Sequence, residues 1–231
     1  MKILKFTVRR SNMYFVRAAI GWLVIDSGIP KRQRKLERFL YKHGIRPCDI
    51  RIIVITHSHY DHAGGLAYLK HLSCAPVFVH DAEADKIEKG EMETLRPVTV
   101  TGKLLKWLGS IFPSRIKYEP VKVDQRIRHK TDLRPWGFPA NIIHTPGHTS
   151  GSVSVVLEDG EAFVGDACFN IFGNKVMPPF VNDAGALQNS WHKINESGAI
   201  KLFPGHGKPF KIEKLHRSIP RLEKLQARFE H

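Results

Sequence analysis

Three histidines and one aspartate fall within six positions of the segment Thr56-His57-Ser58-His59-Tyr60-Asp61-His62-Ala63-Gly64-Gly65. Imidazole nitrogens combined with a carboxylate form a donor set for zinc, or for iron or manganese where the site is harder. In extended chain His57 and His59 point to the same side, while Asp61 and His62 turn away as the chain bends toward a helix. One loop thus supplies two different ligand sets, and Gly64 and Gly65 let the backbone turn tightly beside them.

Three further candidates lie downstream: His148 in His144-Thr145-Pro146-Gly147-His148-Thr149, Asp166 after Gly165, and His206 in Pro204-Gly205-His206-Gly207. Each sits at the end of an expected strand, and residues on Gly-flanked loops at strand ends converge on one edge of a layered sheet. His43, His71, His129, His192, His216 and His231 lack this setting and read as structural.

Elements able to position these residues are legible in the pattern. Ile3 to Val8 and Tyr14 to Ile25 are rich in β-branched and aromatic residues and read as opening strands, the second closed by the turn signal Asp26-Ser27-Gly28. A helix is expected from about Lys31, stopping at Gly44, which suits a left-handed cap. The strand Arg51 to Thr56 then runs straight into the histidine cluster. A short helix over Gly65 to His71, a strand over Pro76 to His80 and a helix over Asp81 to Lys89 capped by Asp81 follow. Strands dominate from Tyr118 to Asp166, including Asn141 to Thr145, Ser152 to Leu157 and Glu161 to Gly165, with a hairpin turn at Asp159-Gly160. A helix over Ala184 to Glu196 precedes a strand over Ile200 to Phe203. The last segment has helical apolar spacing from Ile212, which Pro220 should kink or restart.

The composition excludes other classes. The 231 residues carry 36 Lys plus Arg against 22 Asp plus Glu, a formal net charge of +14, with 42% hydrophobic and 25% charged residues. Disorder, fibrous repeats and a disulfide framework do not fit this balance, since the three cysteines Cys48, Cys74 and Cys168 show no Cys-x-x-Cys pairing. The longest apolar run, Ala18 to Ile25, is too short to cross a bilayer, so a cytoplasmic protein without a membrane partner is expected. The basic run Lys31-Arg32-Gln33-Arg34-Lys35 reads as the solvated face of a helix. A single domain over 1–231 is the expectation.

THSHYDHAGG, HTPGHTSG, GD and PGHG, in this order, resemble the metallo-β-lactamase fold superfamily, and its glyoxalase II-like metallohydrolases more than the antibiotic-degrading enzymes. The resemblance runs from about Asn12 to Gly207. It implies an α/β fold, a four-layer αββα sandwich, with two divalent metal ions, zinc by the donor set or else iron or manganese, at one edge between the sheets. It implies that His57, His59 and His148 hold the first ion, that Asp61, His62 and His206 hold the second, and that Asp166 bridges them. Asp26 matches the early aspartate that supports the ligand loop by hydrogen bonds from behind. The implied chemistry is hydrolysis of a small ester, thioester or lactone by a metal-bridging hydroxide oriented by catalytic Asp61.

Only 25 residues follow His206, where glyoxalase II enzymes carry a glutathione-holding helical domain, so glutathione thioesters are not the expected substrate. Cys168 reads as a buried strand residue, and the segment Asp166-Ala167-Cys168-Phe169-Asn170 lacks the tyrosine that lactone-hydrolysing relatives place near the bridging aspartate, with Tyr14 and Tyr60 the candidates to replace it. The alternative is a metal-dependent phosphodiesterase or nuclease acting on RNA or DNA, which the basic charge favours and the lack of a Gly-rich tRNA-grasping arm disfavours. Residues 91–118, with Leu104, Leu105, Trp107 and Ile111, are read as a lid insertion in which Trp107 contacts the acyl or aryl part of a small-molecule substrate.

Overall fold

The structure is a computed structural model and describes residues 1–94, 117–171, 176–220 and 222. Trp107 and the span 95–116 of the expected lid lie outside the described residues.

The first half of the chain runs β1 (Lys2–Val8), β2 (Ser11–Ala18), β3 (Gly21–Ile25), α1 (Gln33–Lys42), β4 (Ile50–Val54), α2 (Tyr60–Ala63), α3 (Leu66–Ser73), β5 (Val77–His80), α4 (Asp81–Lys89) and β6 (Gln125–Ile127). The second half runs β7 (Thr131–Asp132), β8 (Ala140–His144), β9 (Val153–Leu157), β10 (Glu161–Asn170), α5 (Ala184–Glu196), β11 (Lys201–Gly207), β12 (Phe210–Lys211) and α6 (Ile212–His216). Strand order is β6-β5-β4-β3-β2-β11-β10-β9-β8-β7, with β1 beside β2 and β12 beside β11. Among the described residues, the strand pairing that links the two halves is between His206 of β11 and Ser11 of β2. A candidate ligand therefore sits at the seam itself.

Side-chain alternation explains the layers. Ile53 and Ile55 face α1 and α3 together with Val24, Leu36 and Leu66, whereas Ile52 and Val54 face the other sheet together with Leu23, Ile142 and Phe163. Covered on both faces, β3 is buried throughout, as a strand with helices on one side and a second sheet on the other must be. On the far side Val164, Ala167 and Cys168 pack under α5 and α6. Cys168 is thus the buried strand residue the sequence suggests. Trp191 of α5 is fully buried and its Nε1 donates to the Ala167 carbonyl at 2.7 Å, fixing β10 one residue from Asp166. Its truncation would cost about 3–5 kcal/mol.

Several boundaries differ from expectation. The run Tyr14 to Ile25 is a hairpin of two strands, because the register pairs Ala18 with Gly21. Lys31 has φ 59° and so cannot open a helix, which begins two residues later with Arg32 as its cap. His80, not Asp81, caps α4, its side chain accepting from the Ala82 N–H, while Asp81 pairs with Arg128. Pro204 and Gly205 do not end β11, and β10 continues to Asn170, because parallel pairing persists through Gly165 with Pro204 and Phe169 with His206. Asp166 and His206 consequently lie within strands, beside register shifts, instead of beyond strand ends. Near the C-terminus the chain turns at Arg217 and Ser218 before helical backbone resumes at Ile219 and Pro220, the restart that Pro220 suggested.

Candidate metal centre

β4 delivers the first loop. After Val54 the Thr56 carbonyl accepts from the Val153 N–H and the chain enters the short helix α2, which carries Asp61 and His62 on a different side from His57 and His59. Gly64 closes that turn against the loop after β3: a Cβ there would lie 2.1 Å from the Tyr60 carbonyl oxygen and 2.4 Å from Pro30. The β8–β9 loop supplies His148, β10 supplies Asp166 and β11 supplies His206, so all seven sequence candidates converge.

They form two adjoining sets. His57, His59, His148 and Asp166 are buried with one donor atom each within 4.8 Å of the others, and half-buried Asp61 with buried His62 and His206 makes a second set with the same spacing. His148 Nε2 lies 3.0 Å from His59 Nδ1, and His62 Nε2 lies 3.3 Å from His206 Nε2. Asp166 touches both sets, with Oδ2 3.4 Å from both His148 Nε2 and His206 Nε2 and Oδ1 3.3 Å from His62 Nε2. Tetrahedral donors at about 2.0–2.1 Å from zinc stand about 3.3 Å apart, which these separations match.

The outward nitrogens decide what the inward ones can do. His148 Nδ1 donates to the Phe180 carbonyl at 2.9 Å, His206 Nδ1 to the Arg10 carbonyl at 2.8 Å, and His59 Nε2 to the Glu93 carbonyl at 3.2 Å. His57 Nδ1 lies 3.0 Å from Thr56 Oγ1, and His62 Nδ1 lies 2.7 Å from Asp26 Oδ2. A neutral imidazole has one N–H, so each ring that spends it outward turns a lone pair inward. Facing lone pairs repel unless a cation lies between them. His57 Nε2 and Asp166 Oδ1 are buried without a hydrogen-bond partner, which fits donor atoms reserved for an ion. The residues therefore suit one or two divalent cations.

Asp26 lies behind the loop that carries His57 to His62. At φ 63° it occupies the left-handed region, where an aspartate is tolerated, and its carboxylate accepts from the Thr56 N–H and Oγ1 at 2.8 and 2.9 Å as well as meeting His62. One acid thus ties both ends of the ligand loop together. Tyr14 does not stand free for catalysis: burial pushes its phenol up, and it donates to the Pro204 carbonyl at 2.7 Å.

Electrostatics separate the sets. Burial, with His148 beside it, holds His59 down to about 3, and burial also lowers His57 and His148. Burial depresses His206 as well, yet Asp166 and Asp61 outweigh it and raise the ring to about 10; His62 is raised by Asp166, Asp26 and Asp61. Burial would raise Asp61, but His62 and His206 bring it to about 2.

Sequence reasoning missed the residues behind the ligands. Glu83 of α4 is fully buried beside Ala84 and Ile87, and its carboxylate accepts from the Ser58 and Gly151 N–H groups. An acid on the apolar stripe of a short helix was the available signal. Glu93 accepts from Ser150 and Asn182, and Tyr118 donates to the Ser58 carbonyl at 2.8 Å. Gly205 forms a wall of the site: a Cβ on it would fall 2.3 Å from Asp166 Oδ1 and 2.5 Å from His62 Cε1.

Paired sheets between helical layers, with a histidine and aspartate donor cluster at their shared edge, define a metal-binding αββα protein. The chain belongs to the Metallo-beta-lactamase superfamily, whose family profile matches residues 6–206. It is 29% identical over 202 residues, 85% of this chain and 87% of the relative, to "Probable metallo-hydrolase MJ0888" of Methanocaldococcus jannaschii. It is also 24% identical to human "Acyl-coenzyme A thioesterase MBLAC2", covering 90% of this chain and 77% of that one. Among solved structures, the Rm3 metallo-beta-lactamase superposes with a TM-score of 0.72 at 20% identity, covering 99% of this chain and 91% of that one. A metallo-beta-lactamase family protein of Thermus thermophilus gives 0.70 at 21% identity, covering 99% and 79%. These structures show a shared fold. No helix among the described residues is long and apolar enough to cross a membrane.

Proposed function

We propose that this chain is a dinuclear zinc-dependent hydrolase of a small ester, thioester or lactone. The supporting observation is the pair of donor sets sharing Asp166, since seven donors exceed what one tetrahedral ion uses. Two divalent ions bound there would supply an ionised water at neutral pH and stabilise developing oxyanion charge.

The protein's own residues do the rest. His57, His59 and His148 would hold the first ion as neutral ligands, and His62 and His206 would give up protons to hold the second. Asp61 is partly exposed at the mouth, with Oδ2 3.2 Å from His206 Nε2, and can both ligate and accept a proton from an incoming water. Thioesters gain support from the thioesterase relatives.

One observation favours a second reading, the phosphodiesterase. Lys31, Arg32, Arg34, Lys35, Arg38 and Lys42 crowd α1 and its entrance, and none pairs with an acid among the described residues. Such a face suits a phosphate backbone.

A panel of acyl thioesters, aryl esters, lactones, β-lactams and bis(p-nitrophenyl) phosphate, each with and without chelator, separates the readings. Carbonyl-ester turnover that chelation abolishes and zinc restores is expected. Turnover of the phosphodiester alone would transfer the assignment to the second reading, and turnover persisting after both ions are stripped would sink both.

A further inference from the structure

We propose that Glu83 is a positioning residue that sets the spacing between the two loops carrying His57, His59 and His148, and thereby the affinity of the first ion. The proposal rests on the reading that these three histidines share one ion.

The geometry is a clamp. Glu83 Oε2 accepts from the Ser58 N–H at 3.0 Å and Oε1 accepts from the Gly151 N–H at 3.1 Å. Ser58 lies between His57 and His59, and Gly151 follows His148 by three residues, so one carboxylate grips both loops from behind. The grip on Ser58 is two-sided, because Tyr118 holds its carbonyl. The second loop is pressed against the clamp: a Cβ on Gly151 would meet Glu83 Cγ at 2.6 Å and His80 Nδ1 at 3.1 Å.

The chemistry of the position calls for a carboxylate. Its two oxygens can each accept one amide, whereas an isosteric glutamine offers one acceptor and turns its NH₂ group against the other amide. Glu83 is fully buried, and no cation lies within ion-pair distance of it among the described residues. A buried acid held only by backbone amides is expensive to retain for packing alone. Here it adds negative charge next to a cation site while orienting the ligands. Residues that orient metal ligands typically change affinity by about 10–100-fold when replaced.

Cobalt(II) and zinc(II) chelator competition on the full-length chain tests this, comparing wild type with Glu83→Gln and with His148→Ala and His206→Ala as markers of the two sets. Expected is a 10–100-fold weakening of one ion in Glu83→Gln, with the cobalt spectrum losing the band that His148→Ala loses, and the other ion held as in wild type. Glu83→Asp, which keeps the charge but is too short to span both amides, should show the same selectivity at smaller size and serves if the glutamine variant does not fold. Equal weakening of both ions together with a lower Tm would make Glu83 a packing residue and overturn the proposal, as would unchanged affinity for both. If wild type binds only one ion, the dinuclear reading fails, and Glu83→Gln still decides the clamp on that ion.

Discussion

The rings of His57 and His62 are 4.2 Å apart, yet the structure holds them in opposite protonation regimes. His57, His59 and His148 are backed by a hydroxyl and two main-chain carbonyls, and burial keeps them neutral. His62 is buried as deeply and His206 nearly so, but they face Asp61, Asp166 and, behind His62, Asp26, so they favour the protonated form. Burial alone therefore does not set ligand character; the count of facing carboxylates does. One half of the site meets a cation with ready lone pairs, and the other must exchange protons for it.

Removing the residue common to both halves should have the largest effect. Asp166→Ala is expected to weaken both ions and reduce turnover to background, read by elemental analysis alongside the substrate panel. Full occupancy of both sites in that variant would show that the halves do not share Asp166. A more selective break is Asp26→Asn, which keeps shape but removes charge behind His62. It should weaken the second ion by about 10–100-fold and leave the first within a few-fold, measured by chelator competition; the reverse order would mean that Asp26 acts mainly through Thr56 and His57.

The subtlest difference is in pH dependence. A ring raised to about 10 in the folded, metal-free protein contributes stability that is fully present below its unfolded value of about 6.5 and is lost as pH rises through about 10. An ion entering the second set must displace a proton from His206 and another from His62, so its apparent affinity should climb more than tenfold, up to about a hundredfold, per pH unit between about 6.5 and 9. The first set, with His59 at about 3, should show little slope across the same window. Calorimetric loading in buffers of different ionisation enthalpy measures the protons released, and equal release from both sets would erase the contrast.

How much of this was legible in the sequence divides along similar lines. The candidate donors were, because metal chemistry needs particular side chains at short spacings and those spacings survive in the linear chain: His57 to His62 within one loop, His148 and His206 beside glycines. Asp26 was legible for the same reason, at the end of an apolar strand. The supports of the first set were not, since the Glu93 and Phe180 carbonyls contribute only backbone, which any residue offers, and Glu83 acts on amides 25 and 68 residues away in the chain. Strand ends failed at β10 and β11 because pairing between neighbours, not local propensity, carries a strand through Pro204 and Gly205. The helix cap at His80 was likewise a choice between adjacent polar residues that local pattern leaves open.

Gly205 gives the site a wall made only of main chain, with Asp166 and His62 pressed against the place where a side chain would begin. Evolutionarily, this makes the position a narrow gate. A glycine codon becomes an alanine codon by one base change, and the added methyl would intrude first on Asp166 and His62 of the donor cluster. A descendant that kept the scaffold for another purpose could thus lose its metal chemistry in a single step, with every histidine and aspartate of the donor cluster still spelled out in its sequence.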